Sequence, residues 1–239
     1  MMQPKMRSRV ARRLLINYRV DPTVAARALP EPFRPRLVDG SAIGGICLIR
    51  LEDLRPPWAP PALSLTTENA AHRFAVEFDE HGHGVFVPRR DSNSRLAHLL
   101  GGRLFPGAHH RANIETHESG GRYEISLTSF DGTTSAAVVA DTTDALQDAS
   151  IFGTVENASS FFRHDPLGFS TTTTHPPHFD CVELETQQWS LTPLAVESVT
   201  SSMFDDRTAF PLGSAEFDSA FLMRDIDAVW RPHQRLRAA

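Results

Sequence analysis

Apolar and polar residues alternate along most of the chain, and this pattern predicts strands. Leu14, Ile16, Tyr18 and Val20 share one face of a strand, with Asn17 and Arg19 on the other. Asp21-Pro22 then reads as an N-cap followed by proline at the first helical position, opening a short helix over Thr23–Leu29. Pro30-Glu31-Pro32 ends that helix, because proline cannot continue it. After the Asp39-Gly40 turn, Ser41–Leu51 reads as a buried strand in which Gly44-Gly45 marks a bulge or a close approach. Pro56, Pro57, Pro60 and Pro61 make a loop. In His72–Asp79, Phe74, Val76 and Phe78 face one way and Arg73, Ala75 and Glu77 the other. His81-Gly82-His83-Gly84 turns the chain into Val85–Arg90 as a hairpin. Ser92 or Ser94 caps a helix whose Leu96, Leu99, Leu100 and Leu104 form an apolar stripe, read as core packing.

Further strands are expected over Ala112–Glu118, Arg122–Phe130 and Thr133–Asp141, joined by glycine-containing turns. Residues 143–165 read as one or two short helices. Leu167–Thr173, Cys181–Thr186, Pro193–Ser202 and Phe217–Met223 again favour strands. Many short strands with regular turns and few helices predict a mainly β (α+β) fold, a barrel or paired sheets. The length suits one domain over residues 12–239, preceded by a flexible tail over residues 1–11.

Composition narrows the function classes. A net charge of −5 gives no reason to expect a nucleic-acid partner. The basic cluster Arg7, Arg9, Arg12 and Arg13 reads as a solvated tail. The longest apolar run, Ala42–Ile49, is too short to span a membrane, so no membrane partner and a cytoplasmic location are expected. Cys47 and Cys181 are far apart and read as buried small apolar residues. His81-Gly82-His83 and His175-Pro176-Pro177-His178 each offer only two ligands, so no metal or other cofactor is expected. Nucleophile-elbow, P-loop and dinucleotide-binding motifs are absent. Phe161-Phe162 and the segment through Trp230 read as core or subunit interface.

Particular motifs resemble the acetoacetate decarboxylase superfamily. Asn17-Tyr18-Arg19-Val20-Asp21, followed by Leu29-Pro30-Glu31-Pro32-Phe33, is similar to that family's opening. Thr67-Glu68 resembles its Thr-Glu pair, whose glutamate is catalytic. Gly102-Arg103 resembles the Gly-Arg-Glu element that precedes its Schiff-base lysine, whose place falls on or beside His109-His110. The DUF2071 (YqjF-like) branch is resembled in Asn17–Pro22, Asp91-Ser92-Asn93-Ser94-Arg95-Leu96-Ala97 and Asp218-Ser219-Ala220. The resemblance implies an acetoacetate decarboxylase-like β-barrel with a few short peripheral helices, a small-molecule cavity and often a homo-oligomer.

The only lysine is Lys5, ahead of the first strand, so the family's Schiff-base reaction is not expected. That reaction needs an amine of lowered pKa; imidazole forms no stable iminium with a ketone and arginine is too basic. The expected function is a lyase-, hydratase- or cyclase-type enzyme acting on a small oxo-acid or related metabolite by proton transfer. Glu68 is the expected catalytic carboxylate, helped by His109 or His110, of which a strand can turn only one inward. Arg19, as a carboxylate clamp, and His72 or Arg73 are the expected substrate-binding residues. The alternative is a small-molecule-binding barrel without catalysis, marked by an apolar cavity with Glu68 turned away from it.

Overall fold

A computed structural model describes residues 4–79, 82–100, 106–164, 166–172 and 178–237. The chain runs β1 (Met6–Val20), α1 (Pro22–Arg27), β2 (Arg34–Pro35), β3 (Leu37–Val38), β4 (Ser41–Arg55), β5 (Leu65–Phe78), β6 (Gly82–Ser92) and α2 (Arg95–Leu100). It continues with β7 (His109–Ser119), β8 (Arg122–Ser129), β9 (Ser135–Thr142), α3 (Val155–Arg163), β10 (Leu167–Thr171), β11 (His178–Thr186), β12 (Thr192–Ser201) and β13 (Ala215–Arg237). The fold is mainly β, as the alternation predicts. No helix among the described residues is long and apolar enough to cross a membrane.

Among these residues the sheet closes on itself twice. One ring runs β1-β4-β5-β6-β7-β8-β9-β12-β13 and returns to β1. A second leaves β6 through β10 and β11 and also returns to β13. Both rings share the wall β13-β1-β4-β5-β6. Successive side chains of a strand point to opposite faces, so each shared strand serves both interiors. Leu14, Ile16, Ile46, Leu48 and Phe74 join Tyr123, Ile125, Leu127 and Val138 in the first ring's core. Leu15, Cys47 and Ile49 face the second ring, where Phe161 and Phe162 of α3 meet Phe152 and Phe221.

Local chemistry explains the junctions. Asp21 accepts from the amides of Thr23 and Val24, capping α1, and Pro22 occupies its first turn. Ser94 Oγ accepts from the Ala97 amide at the start of α2. Gly44 and Gly45 are a close approach: a Cβ on Gly44 would stand 2.8 Å from Phe204 Cε1, and one on Gly45 would strike the Ile16 carbonyl.

Three expectations change. Residues 6–11 are not a tail: Met6–Val10 pairs with β13 and Arg7, Arg9 and Val10 also pair with β4, so main-chain bonds hold them on both sides. Leu96 and Leu99 are exposed, because α2 buries Ala97 instead; Leu104 lies outside the described residues. Within 143–165 the expectation of one or two short helices is met by α3, capped by Thr154. The last strand extends to Arg237, since charged residues alternate with buried Ile226 and Ala228 while the strand pairs with both β1 and β11.

Candidate functional site

The second ring encloses a cavity of about 400 Å³. Its floor is one row of cross-strand neighbours, Leu15, Cys47, Ala71, Arg90 and His109, each directly paired with the next. Side chains opposite one another on adjacent strands share a face, so the row presents one surface. Leu184 and Trp189 face it from the far side, with Phe162 at the end of α3. The lining is mostly apolar. Besides the exposed Arg163 at the end of α3 and the acids Asp91 and Glu185, its charged and titratable lining is three guanidiniums, Arg13, Arg73 and Arg90, and one imidazole, His109.

Each of these groups is held. Arg13 Nε donates to Cys47 Sγ at 3.2 Å, and its Nη1 lies 4.0 Å from Met223 Sδ. Arg73 Nη2 donates to Asn17 Oδ1 at 2.5 Å, and its guanidinium sits 5.1 Å from the centre of the Phe162 ring. Arg90 Nε donates to Ser170 Oγ at 2.8 Å. Burial pushes the Arg90 pKa down to about 10, against the pull of Cys47 and Asp180. Burial, and then the positive charge of Arg90, push His109 down to about 3, so it is neutral at pH 7.

The six expected site residues separate. His109 and Arg73 line the cavity. His110 points the other way, with Nδ1 3.2 Å from Asp131. His72 is fully buried in the first ring, where Nε2 lies 3.1 Å from Ser201 Oγ. Arg19 is partly exposed and pairs with Glu216 at 2.9 Å. Glu68 also faces away from the cavity. Its carboxylate is 2.5 Å from Arg12 and 3.3 Å from Arg50, beside a polar groove lined by Arg9, Arg12, Arg50, Glu52, Glu118 and Arg224. Period-2 alternation is the cause: Thr67, Asn69, Ala71 and Arg73 face the cavity, which turns Glu68 and His72 to the opposite side. Arg12, expected in a solvated tail, is only 1% exposed.

The sequence reading missed Arg13, Arg90 and Cys47 as cavity groups. Extending the β1 alternation back past Leu14 places Arg13 on the Leu15 face, a signal hidden by the arginine cluster around it. No group of three or more metal-ligating side chains occurs among the described residues. His81 and His175–Pro177 lie outside them.

The two buried histidines are expected to make the fold acid-labile. His72 is lowered to about 4 and His109 to about 3, whereas both take up a proton near pH 6.5 when unfolded. Between those values the unfolded chain binds more protons than the folded one. Stability is therefore full above about pH 6.5 and falls as pH drops, by roughly 1.4 kcal/mol per pH unit for each histidine. Urea midpoints measured from pH 7 to pH 4 are expected to fall accordingly. The His72→Phe variant is expected to lose its share of that slope, and an unchanged slope would contradict the assignment.

The fold is shared with solved structures. The enduracididine biosynthesis enzyme MppR, complexed with pyruvate, aligns with a TM-score of 0.63 at 15% identity, over 100% of this chain and 92% of that one. An acetoacetate decarboxylase-like enzyme from Sphingomonas wittichii RW1 aligns at 0.62 and 13% identity, over 99% and 94%. Acetoacetate decarboxylase from Legionella pneumophila aligns at 0.59 and 12% identity, over 98% and 88%. No curated protein matches the chain. Residues 7–222 match the family described as DUF2071, "Uncharacterized conserved protein (COG2071)", and with this match across most of its length the chain belongs to that family, on an acetoacetate decarboxylase-like fold.

Proposed function

We propose that this chain binds a small oxo-acid in the second ring's cavity and moves a proton on it through His109, without a Schiff base. The observation that carries the reading is the lining itself: guanidiniums and one neutral imidazole set in apolar walls. Arginine suits carboxylate recognition because its planar fork donates two parallel hydrogen bonds. MppR, on the same fold, is known complexed with pyruvate, which supports an oxo-acid as the ligand class.

Binding and proton transfer are coupled by charge. A carboxylate placed on Arg90 offsets the positive field that lowers His109, and so makes the imidazole more basic once the ligand has arrived. The C–H bond beside the ketone then breaks. Its proton goes to His109 and its electron pair moves into the ketone oxygen, leaving an enolate stabilised by the guanidiniums. Lys5 takes no part in this scheme. It is exposed between Pro4 and Met6 at the cavity rim, close enough to act on the Glu185 carboxylate.

The test uses pyruvate in deuterium oxide, with NMR following loss of its methyl protons. Wild-type protein is expected to accelerate exchange and His109→Gln to lose about a hundredfold of it while still binding pyruvate. Equal exchange by the two proteins would remove His109 from the mechanism. A second reading, ligand binding without turnover, is favoured by Glu68, which faces away from the cavity in ion pairs with Arg12 and Arg50. It predicts pyruvate binding with no exchange by either protein.

A further inference from the structure

The charges around the cavity do not balance. Two acids line it, Asp91 and Glu185, and each already has an arginine that lies outside the lining. Arg89 grips Asp91 at 2.8 to 3.1 Å, and Arg231 grips Glu185 at 2.6 and 2.9 Å. Among the described residues Arg13 and Arg90 have no carboxylate partner of this kind. Among the described residues Arg13 donates only to two sulfur atoms, and Arg90 donates to one hydroxyl. Asp180 acts on Arg90 through space, but its carboxylate is taken by Arg235 at 2.7 Å and by the Gly107 amide at 2.9 Å.

These two guanidiniums leave different strands of the floor, Arg13 from β1 beside the Leu15 end of the row and Arg90 from β6. Arg13 leaves β1 and leans over Cys47 of β4 and Met223 of β13. Arg90 leaves β6 and leans over β10, where it bonds Ser170 and lies 3.8 Å from the position a Gly168 Cβ would take. Strands β4 and β5 separate their backbones, about 14 Å at ordinary strand spacing. Ala71 of β5, directly beside Arg90 and between the two strands, is the smallest side chain of the row. A guanidinium in apolar surroundings without a carboxylate is costly, and a ligand anion relieves that cost.

We propose that the cavity takes a short-chain diacid, with one carboxylate on Arg13 and the other on Arg90. This rests on the reading of the cavity as an oxo-acid site and narrows it from a monoacid to a dicarboxylate, such as a 2-oxo diacid.

The test is titration calorimetry of the full chain with pyruvate and butyrate against succinate, glutarate and 2-oxoglutarate. At least one diacid is expected to bind about tenfold or more tightly than either monoacid, as one added charge-assisted pair implies. Arg13→Gln is expected to bring that diacid down to monoacid affinity without moving the monoacids, which Arg90 holds. Because it removes an unbalanced charge, Arg13→Gln is expected to keep or raise the melting temperature, and Arg13→Lys to keep part of the preference. Equal affinity for diacids and monoacids in wild-type protein overturns the proposal and leaves the oxo-acid reading standing. So does an Arg13→Gln variant that weakens both classes alike, since both arginines then share a single carboxylate. Failure of every acid to bind overturns both.

Discussion

Replacing Arg12 by alanine is expected to destabilise the protein by about 3–5 kcal/mol, the usual cost of removing one member of a buried ion pair. Arg12 is 1% exposed and holds two carboxylates at once, Glu68 and Glu118, each at 2.5 Å. Among the described residues its loss leaves Glu68, itself 7% exposed, with only the partly exposed Arg50 as an ion-pair partner, at 3.3 Å. The result is a buried negative charge with one weak partner. Urea unfolding at pH 7 measures the effect as a lower midpoint at unchanged slope. Glu68→Gln is expected to cost less, because the amide still accepts from Arg12. The pair Arg12→Met with Glu68→Gln is expected to recover much of the loss, since it removes the stranded charge. A loss under about 1 kcal/mol in Arg12→Ala would mean that water screens the pair as it screens surface ion pairs.

Ala71→Phe is expected to abolish ligand binding, by about a hundredfold or more, with a stability change of no more than about 1–2 kcal/mol. Ala71 is the smallest side chain in the floor row, between Cys47 and Arg90. A ring there projects into the space between the two arginines. It meets an open cavity rather than packed neighbours, so overpacking strain stays small. Glu118→Gln is the control. It alters the polar groove on the other side of the shared wall and is expected to leave affinity unchanged. If Ala71→Phe binds as wild type and Glu118→Gln does not, the site is the groove and not the cavity. The same pair of variants tests whether proton exchange on pyruvate occurs in this cavity.

Much of the wall was legible along the chain. The period-2 run in β1 placed Leu14, Ile16 and Tyr18 on one face, and those three lie in one core. The Asp21-Pro22 start of α1 and the close approach at Gly44-Gly45 follow from local chemistry: a side-chain oxygen capping amides, and backbones too near for a Cβ. His109 and His110 had to face opposite ways, as did His72 and Arg73, because neighbours in a strand always do. Which member of each pair meets the cavity was not legible, since alternation fixes relative and not absolute direction.

The far half of β13 and the buried state of Arg12 were hidden for a related reason. Charge marks a residue as exposed only when no partner of opposite charge is folded beside it. Arg12 meets Glu68 and Glu118, which lie 56 and 106 residues away along the chain. Their approach depends on β5 and β7 closing the first ring.

Sequence periodicity, caps and turns established a mainly β chain, its principal strands and the lack of any lysine beyond Lys5, all properties of single residues and near neighbours. Tertiary structure decided which face of the shared wall holds the cavity, and with it that Arg13, Arg90 and His109 meet there while Glu68 does not. Two rings closing on one wall give both faces an interior, so burial and polarity along a strand cannot tell one interior from the other. The long-range pairings of β6 with β10 and of β11 with β13 make that choice.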